Sequence, residues 1–176
     1  MRRMTVDLSY AKKAGPEGKA GGVSLALDTR GWSVGWAVVA GDSPRDCGMI
    51  AARDHVGGKV VPQSHKISGL YRSLLALAVQ NEVDLVVTEN KTKPGPVWML
   101  PALVAVALNA RYGELRDWMP DLQLDAKSIV SWATVLLGKP PEDPLVAHAL
   151  GLAAVAARMR ASDPQLMSPP GVEEEE

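Results

Sequence analysis

Three acids and one histidine sit where the surrounding residue pattern calls for something else. Asp28 closes the apolar run Val23-Ser-Leu-Ala-Leu-Asp28, and Glu89 closes Asp84-Leu-Val-Val-Thr-Glu89. Asp143 immediately precedes Pro144-Leu-Val-Ala-His148-Ala-Leu-Gly-Leu-Ala-Ala-Val, in which His148 is the one strongly polar side chain. Period-two alternation sends Val23, Leu25 and Leu27 to one face of the first strand and Ser24, Ala26 and Asp28 to the other. Asp28 therefore projects among small side chains. Neighbouring strands lie about 4.8 Å apart, so acids ending two central strands can hold both carboxylates on one divalent cation. Hard oxygen ligands suit Mg2+, with Mn2+ as a substitute. Two such ions about 3.5–4 Å apart activate a water and stabilise the leaving oxygen in phosphodiester cleavage.

Each of these residues also has a purely structural reading. Asp28 can cap the Thr29-Arg30-Gly31 corner. Glu89 can be an ordinary strand-end glutamate. Asp143 before Pro144 is well placed as a helix N-cap with proline in the first helical position. A lone histidine on an apolar helix is commonly a satisfied core residue; if that helix packs beside the strand ends, His148 is instead a metal ligand or a base for the attacking water.

The elements that must position these groups follow from periodicity. Val23–Asp28 and Trp32–Val39 read as a hairpin around a glycine-containing turn, with a third strand at Cys47–Arg53 after a turn at 41–46. Residues 64–80 carry apolar side chains at helical spacings, with Ser64 as the N-cap. A buried strand at 84–89 follows, then a helix from Val97 to Arg111, a short strand at Leu122–Leu124, and helices over 127–137 and 144–160. A meander followed by crossover helices predicts an α/β fold: a mixed five-stranded sheet flanked by helices on both faces.

With 176 residues and 47% apolar content, the chain suits one globular domain rather than a disordered polymer. Its one cysteine, Cys47, excludes an internal disulfide and a cysteine-rich zinc site. No stretch reaches the ~18 apolar residues of a membrane span, and the N-terminus lacks a signal-peptide pattern, which points to a cytoplasmic protein. The net charge of -1 conceals a division. Residues 1–21 carry five basic side chains against Asp7 and Glu17, whereas 161–176 carry Asp163 and Glu173 to Glu176 with no basic residue. The organisation predicted is a flexible basic arm over 1–22, a domain over 23–160 and a disordered acidic tail over 161–176.

The runs Leu25-Ala-Leu-Asp28-Thr-Arg-Gly-Trp-Ser-Val-Gly-Trp-Ala-Val38, Asp84-Leu-Val-Val-Thr-Glu89-Asn90 and His148-Ala-Leu-Gly-Leu-Ala resemble, in order and spacing, the RuvC-type Holliday-junction resolvases of the RNase H-like superfamily. The resemblance spans about 23–158. It implies an RNase H-like fold and a homodimeric Mg2+-dependent endonuclease that cuts branched DNA at four-way junctions. It places Asp28, Glu89 and a group on the last helix around two metal ions. The family's last helix usually carries two metal-site residues three apart, and those places fall here on Leu145 and His148. Either His148 completes the site with the two carboxylates, or Asp143 reaches in from the helix start, or the site is impaired, which would leave a catalytically inactive protein that binds branched DNA; His148 with Asp143 assisting is the favoured assignment.

Basic residues beside the acids suit a polyanion. Arg30 follows Asp28, Lys91 and Lys93 follow Glu89, and Lys127 opens a helix; such side chains supply affinity through phosphate contacts, although any one of them can be a solvated surface charge. Trp98 can stack on an unpaired base at a branch point or belong to the core. Pro101–Leu108 is apolar nearly all round and is the preferred dimer element. An actin-like ATPase would need a second glycine-rich phosphate loop, and none is present.

Overall fold

The computed structural model describes residues 3–5, 22–93 and 95–162. Its elements run β1 (Arg3–Thr5), β2 (Val23–Arg30), β3 (Ser33–Ala40), β4 (Ser43–Ala51), β5 (His55–Val56), β6 (Lys59–Val60), α1 (Gln63–Gln80), β7 (Val83–Glu89), α2 (Leu100–Leu108), β8 (Arg111–Leu115), α3 (Ile129–Leu137) and α4 (Pro144–Ser162). The main sheet has the order β1-β4-β3-β2-β7-β8. β2, β3 and β4 form an antiparallel meander, while β7 joins β2, and β8 joins β7, in parallel. The expected mixed five-stranded sheet is present as β4-β3-β2-β7-β8, and Arg3–Thr5 pairs with the outer edge of β4 as a sixth, short strand. Residues 1–2 and 6–21 of the predicted basic arm, and residues 163–176 of the predicted acidic tail, lie outside the described residues.

Strand alternation divides the core into two layers. Leu25, Leu27, Val34, Trp36 and Val38 face α1 and α2 together with Leu70, Leu74, Leu100 and Val104. Ala26, Ala37 and Val39 face the other way, against Val146, Ala149, Leu150 and Ala153 of α4 and Ala133 of α3. Small side chains on this second face let α4 approach closely. At Gly35 the approach is limiting: a Cβ there would meet the Leu145 carbonyl oxygen at 2.3 Å. Gly151, on α4 itself, leaves room for the Trp118 ring in the same way, with a Cβ falling 2.3 Å from Cζ3.

Several boundaries differ from those the sequence suggests. The meander turn is confined to Gly41-Asp42, with φ 59° at Gly41, so β4 begins at Ser43 rather than Cys47. α1 starts after Pro62 with no side-chain cap, so Ser64 does not serve as N-cap. α2 stops at Leu108 because Asn109 adopts a left-handed conformation, φ 51°, and the Ala110 N–H then donates to the Ala105 carbonyl. That early stop releases Arg111–Leu115 as the last strand. Leu122–Leu124 is not a strand: Met119–Leu122 forms a 3-10 turn ended by Gln123 at φ 57°.

Candidate active site

Leu27 and Thr88 are parallel partners across β2 and β7, so the next residue on each strand is an acid, Asp28 and Glu89. The Thr88 hydroxyl donates to the Leu27 carbonyl at 2.8 Å and fixes this pairing at the strand ends. Asp28 pairs on its other side with Gly35, the residue against which the first turn of α4 rests. Three elements thus converge on one corner of the sheet.

Asp28 is 1% exposed. A buried carboxylate is strongly disfavoured unless paired, and two cationic or potentially cationic groups meet it. The Lys91 ammonium contacts Asp28 Oδ1 and donates to the Thr29 carbonyl at 2.5 Å. His148 Nδ1 stands 3.6 Å from Asp28 Oδ2. Oδ2 itself is buried and has no hydrogen-bond partner among the described residues. Lys91 Nζ also lies 3.9 Å from Glu89 Oε2, so one ammonium faces both carboxylates.

Trp118 organises the other side. Its Nε1–H donates to Glu89 Oε1 at 3.2 Å, and its ring meets the His148 ring edge-on, centroids 6.0 Å apart and planes at 79°. No signal in Arg116-Asp117-Trp118 marks this residue, because its role depends on where the chain returns after β8. A cleft of about 210 Å³ opens beside Glu89 and Lys91, bounded by Thr29, Thr88, Asn90, Trp98, Tyr112 and Glu114. Within it Glu114 accepts from Asn90 Nδ2 at 2.6 Å and from the Tyr112 hydroxyl at 2.7 Å. Burial and the Glu114 carboxylate push the Tyr112 hydroxyl above its ordinary pKa.

The structure therefore brings together Asp28, Glu89, His148 and Lys91. Asp143 caps α4: its Oδ1 accepts the Leu145 N–H at 2.8 Å, and its carbonyl accepts the Val146 N–H. Trp98 is 53% exposed and lines the cleft, outside the core. Arg30 and Lys93 are exposed at the same end of the sheet, where the loop after β7 lies against the β2–β3 turn near Gly31. Lys127 is exposed in the Asp125 turn before α3 and does not line the cleft. Lys91 does not stand free for phosphate contact; it is turned inward onto the acids. Leu145 is 3% exposed and belongs to the packing of α4.

The donor set fits a divalent cation at Asp28 Oδ2, a buried carboxylate oxygen with no other partner, flanked by an imidazole nitrogen. Among the described residues no three or more His, Cys, Asp or Glu side chains are already gathered as a metal cage.

No protein-family profile matches the chain, and no curated protein matches it by sequence. Solved structures do. RuvC of Thermus thermophilus in complex with a Holliday-junction substrate superposes with a TM-score of 0.65 at 14% identity, covering 80% of this chain and 96% of that one. A second Thermus thermophilus RuvC structure gives 0.61 at 13% identity, covering 80% and 96%. The yeast mitochondrial Holliday junction resolvase Ydc2 gives 0.51 at 12% identity, covering 82% and 81%. The chain thus shares the fold of these RuvC structures, the mixed α/β arrangement that the resemblance implies.

Proposed function

We propose that this protein is a structure-specific endodeoxyribonuclease that uses Mg2+, or Mn2+ in its place, to cut phosphodiester bonds in branched DNA, with the four-way Holliday junction as substrate. The observation that carries the reading is the Asp28–Glu89 pair at adjacent strand ends, with Glu89 on the cleft and Asp28 buried beside it, its Oδ2 in no hydrogen bond among the described residues. The substrate class is supported by the fold shared with two junction resolvases, one of them solved on a junction.

Asp28 and Glu89 would hold a divalent cation, which when bound would supply an activated water and charge stabilisation at the leaving oxygen. His148 Nδ1, beside Asp28 Oδ2, completes the ligand set or takes the proton of the attacking water. Trp118 fixes the orientation of Glu89 by its hydrogen bond and limits the rotation of His148. Asp143 supports the site by capping the helix that carries His148. Arg30 and Lys93 meet backbone phosphates, and Trp98 stacks on a base unpaired at the branch point. Two copies act together in the cytoplasm as a homodimer whose two-fold axis matches the symmetry of the junction. α2 is the element for that contact: Leu103 and Val106 are 43% and 78% exposed, next to exposed Trp98 and Met99.

A second reading is favoured by the apolar, 3% exposed Leu145 at the place where the resemblance expects a metal-site residue on α4: a protein that binds branched DNA without cutting it. A synthetic four-way junction, compared with linear duplex of the same sequence, separates the two. The nuclease reading expects junction cutting in Mg2+ or Mn2+, none in EDTA, and loss of cutting with retained binding in Asp28→Asn and Glu89→Gln. Tight junction binding with no cleavage in either ion would establish the binding protein instead.

A further inference from the structure

The described residues contain one feature that two-ion chemistry does not need: a lysine ammonium set between the two acids. We infer that Lys91 is a built-in cation, taking the part of one of the two metal ions, so that the site works with a single divalent ion; this rests on the nuclease reading above.

Four observations converge on this assignment. The Lys91 ammonium donates to Asp28 Oδ1 and to the Thr29 carbonyl at 2.5 Å, and it faces Glu89 Oε2 across 3.9 Å, so one charge serves both acids. It reaches them because the chain is held as it leaves β7, where the Asn90 N–H donates to the Leu115 carbonyl and Asn90 Nδ2 to Glu114. Asp28 divides its two oxygens, Oδ1 hydrogen-bonded by Lys91 and Oδ2 in no hydrogen bond among the described residues, with His148 Nδ1 3.6 Å away, which leaves one carboxylate oxygen for one ion. Finally, α4 carries no Asp or Glu beside His148 to hold a second ion: Leu145, one turn before it, is 3% exposed with its backbone against Gly35.

Charge balance favours the same arrangement. Two carboxylates, one ammonium and one divalent ion leave a single positive charge to meet the single negative charge of a phosphodiester. Two divalent ions beside Lys91 would leave three. A lysine ammonium is a compact, strongly hydrated point charge, and here it is held on the two acids with its side chain 26% exposed toward the cleft.

Mn2+ titration of the full chain followed by electron paramagnetic resonance tests this without reference to cutting. One Mn2+ per chain is expected for the wild type and none at this site for Asp28→Asn. Lys91→Gln is expected to bind a second Mn2+ or to hold the first more tightly, and Lys91→Arg to keep the count of one. In junction cutting, Lys91→Gln should lose about 10²–10³-fold, the usual effect of removing one preorganised charge from a transition state, with the rate rising as the first power of Mg2+ concentration in the wild type. Two Mn2+ per chain in the wild type, or wild-type cutting by a folded Lys91→Gln, would overturn the assignment. A wild type that cuts nothing yet binds one Mn2+, becoming two in Lys91→Gln, would sink the nuclease reading and leave the built-in cation standing.

Discussion

Gly35→Ala probes how the fold sets the site. The substitution adds one methyl carbon on β3, at a position opposite Asp28 and beneath the first turn of α4. Built on the existing backbone, that carbon lies 2.3 Å from the Leu145 carbonyl oxygen and 2.6 Å from Leu145 Cβ. A carbon approaches an oxygen no closer than roughly 3.3 Å without repulsion, so α4 must retreat by about 1 Å. The nearest atoms are backbone, so no side-chain rotation relieves the clash. Overpacking of this kind costs about 1–3 kcal/mol, which for a chain of this size lowers Tm by roughly 2–12 °C. The effect on chemistry is larger than the effect on stability, because His148 rides on the displaced helix, one turn beyond Leu145. A 1 Å misplacement of a catalytic group costs about 10²-fold in rate. Gly69→Ala is the control: Gly69 lies exposed within α1 with nothing near its Cβ position, so alanine there should stabilise by about 0.5–1 kcal/mol and leave cutting unchanged. Calorimetric melting and junction cutting of the two variants decide the matter. A Gly35→Ala protein with wild-type Tm and rate would refute the close packing of α4 on β3 as the device that positions His148.

Two further predictions concern α4 and the core. His148→Ala should reduce cutting at least as much as Gly35→Ala, whereas Asp143→Asn should leave it nearly unchanged, because asparagine caps a helix about as well as aspartate but is a poor metal ligand; loss of cutting in Asp143→Asn would move its carboxylate into the metal site. Burial, with Asp46 adding to it, pushes the Cys47 thiol from 9.0 up to about 12. The folded state therefore keeps the thiol protonated while the unfolded chain ionises, so this contribution to stability is intact below pH 9 and is lost as pH rises from 9 toward 12. At pH 10 the loss is roughly 1.4 kcal/mol, seen as a steeper fall in the urea midpoint between pH 8 and pH 10 for the wild type than for Cys47→Ala; parallel falls would contradict it.

The two acids were legible in the sequence because strand alternation is local. Ser24, Ala26 and Asp28 must share a face whatever else the chain does, and the apolar runs before Asp28 and Glu89 end at the acids themselves. The order of strands and helices was legible for the same reason. The helix-to-strand boundary at Asn109 was not, since a single left-handed residue in an otherwise helical pattern ends α2 and frees β8, and an asparagine in that pattern does not announce that conformation. The partners of the acids were hidden for a different reason. Lys91 looks like a surface charge from its neighbours alone, and Trp118 like any core aromatic; their contacts with Asp28 and Glu89 span 63 and 29 residues of chain. Sequence by itself determined which side chains carry charge at the strand ends. Only the parallel crossover that lays β7 beside β2, and the glycine that lets α4 close over them, decided what those charges face.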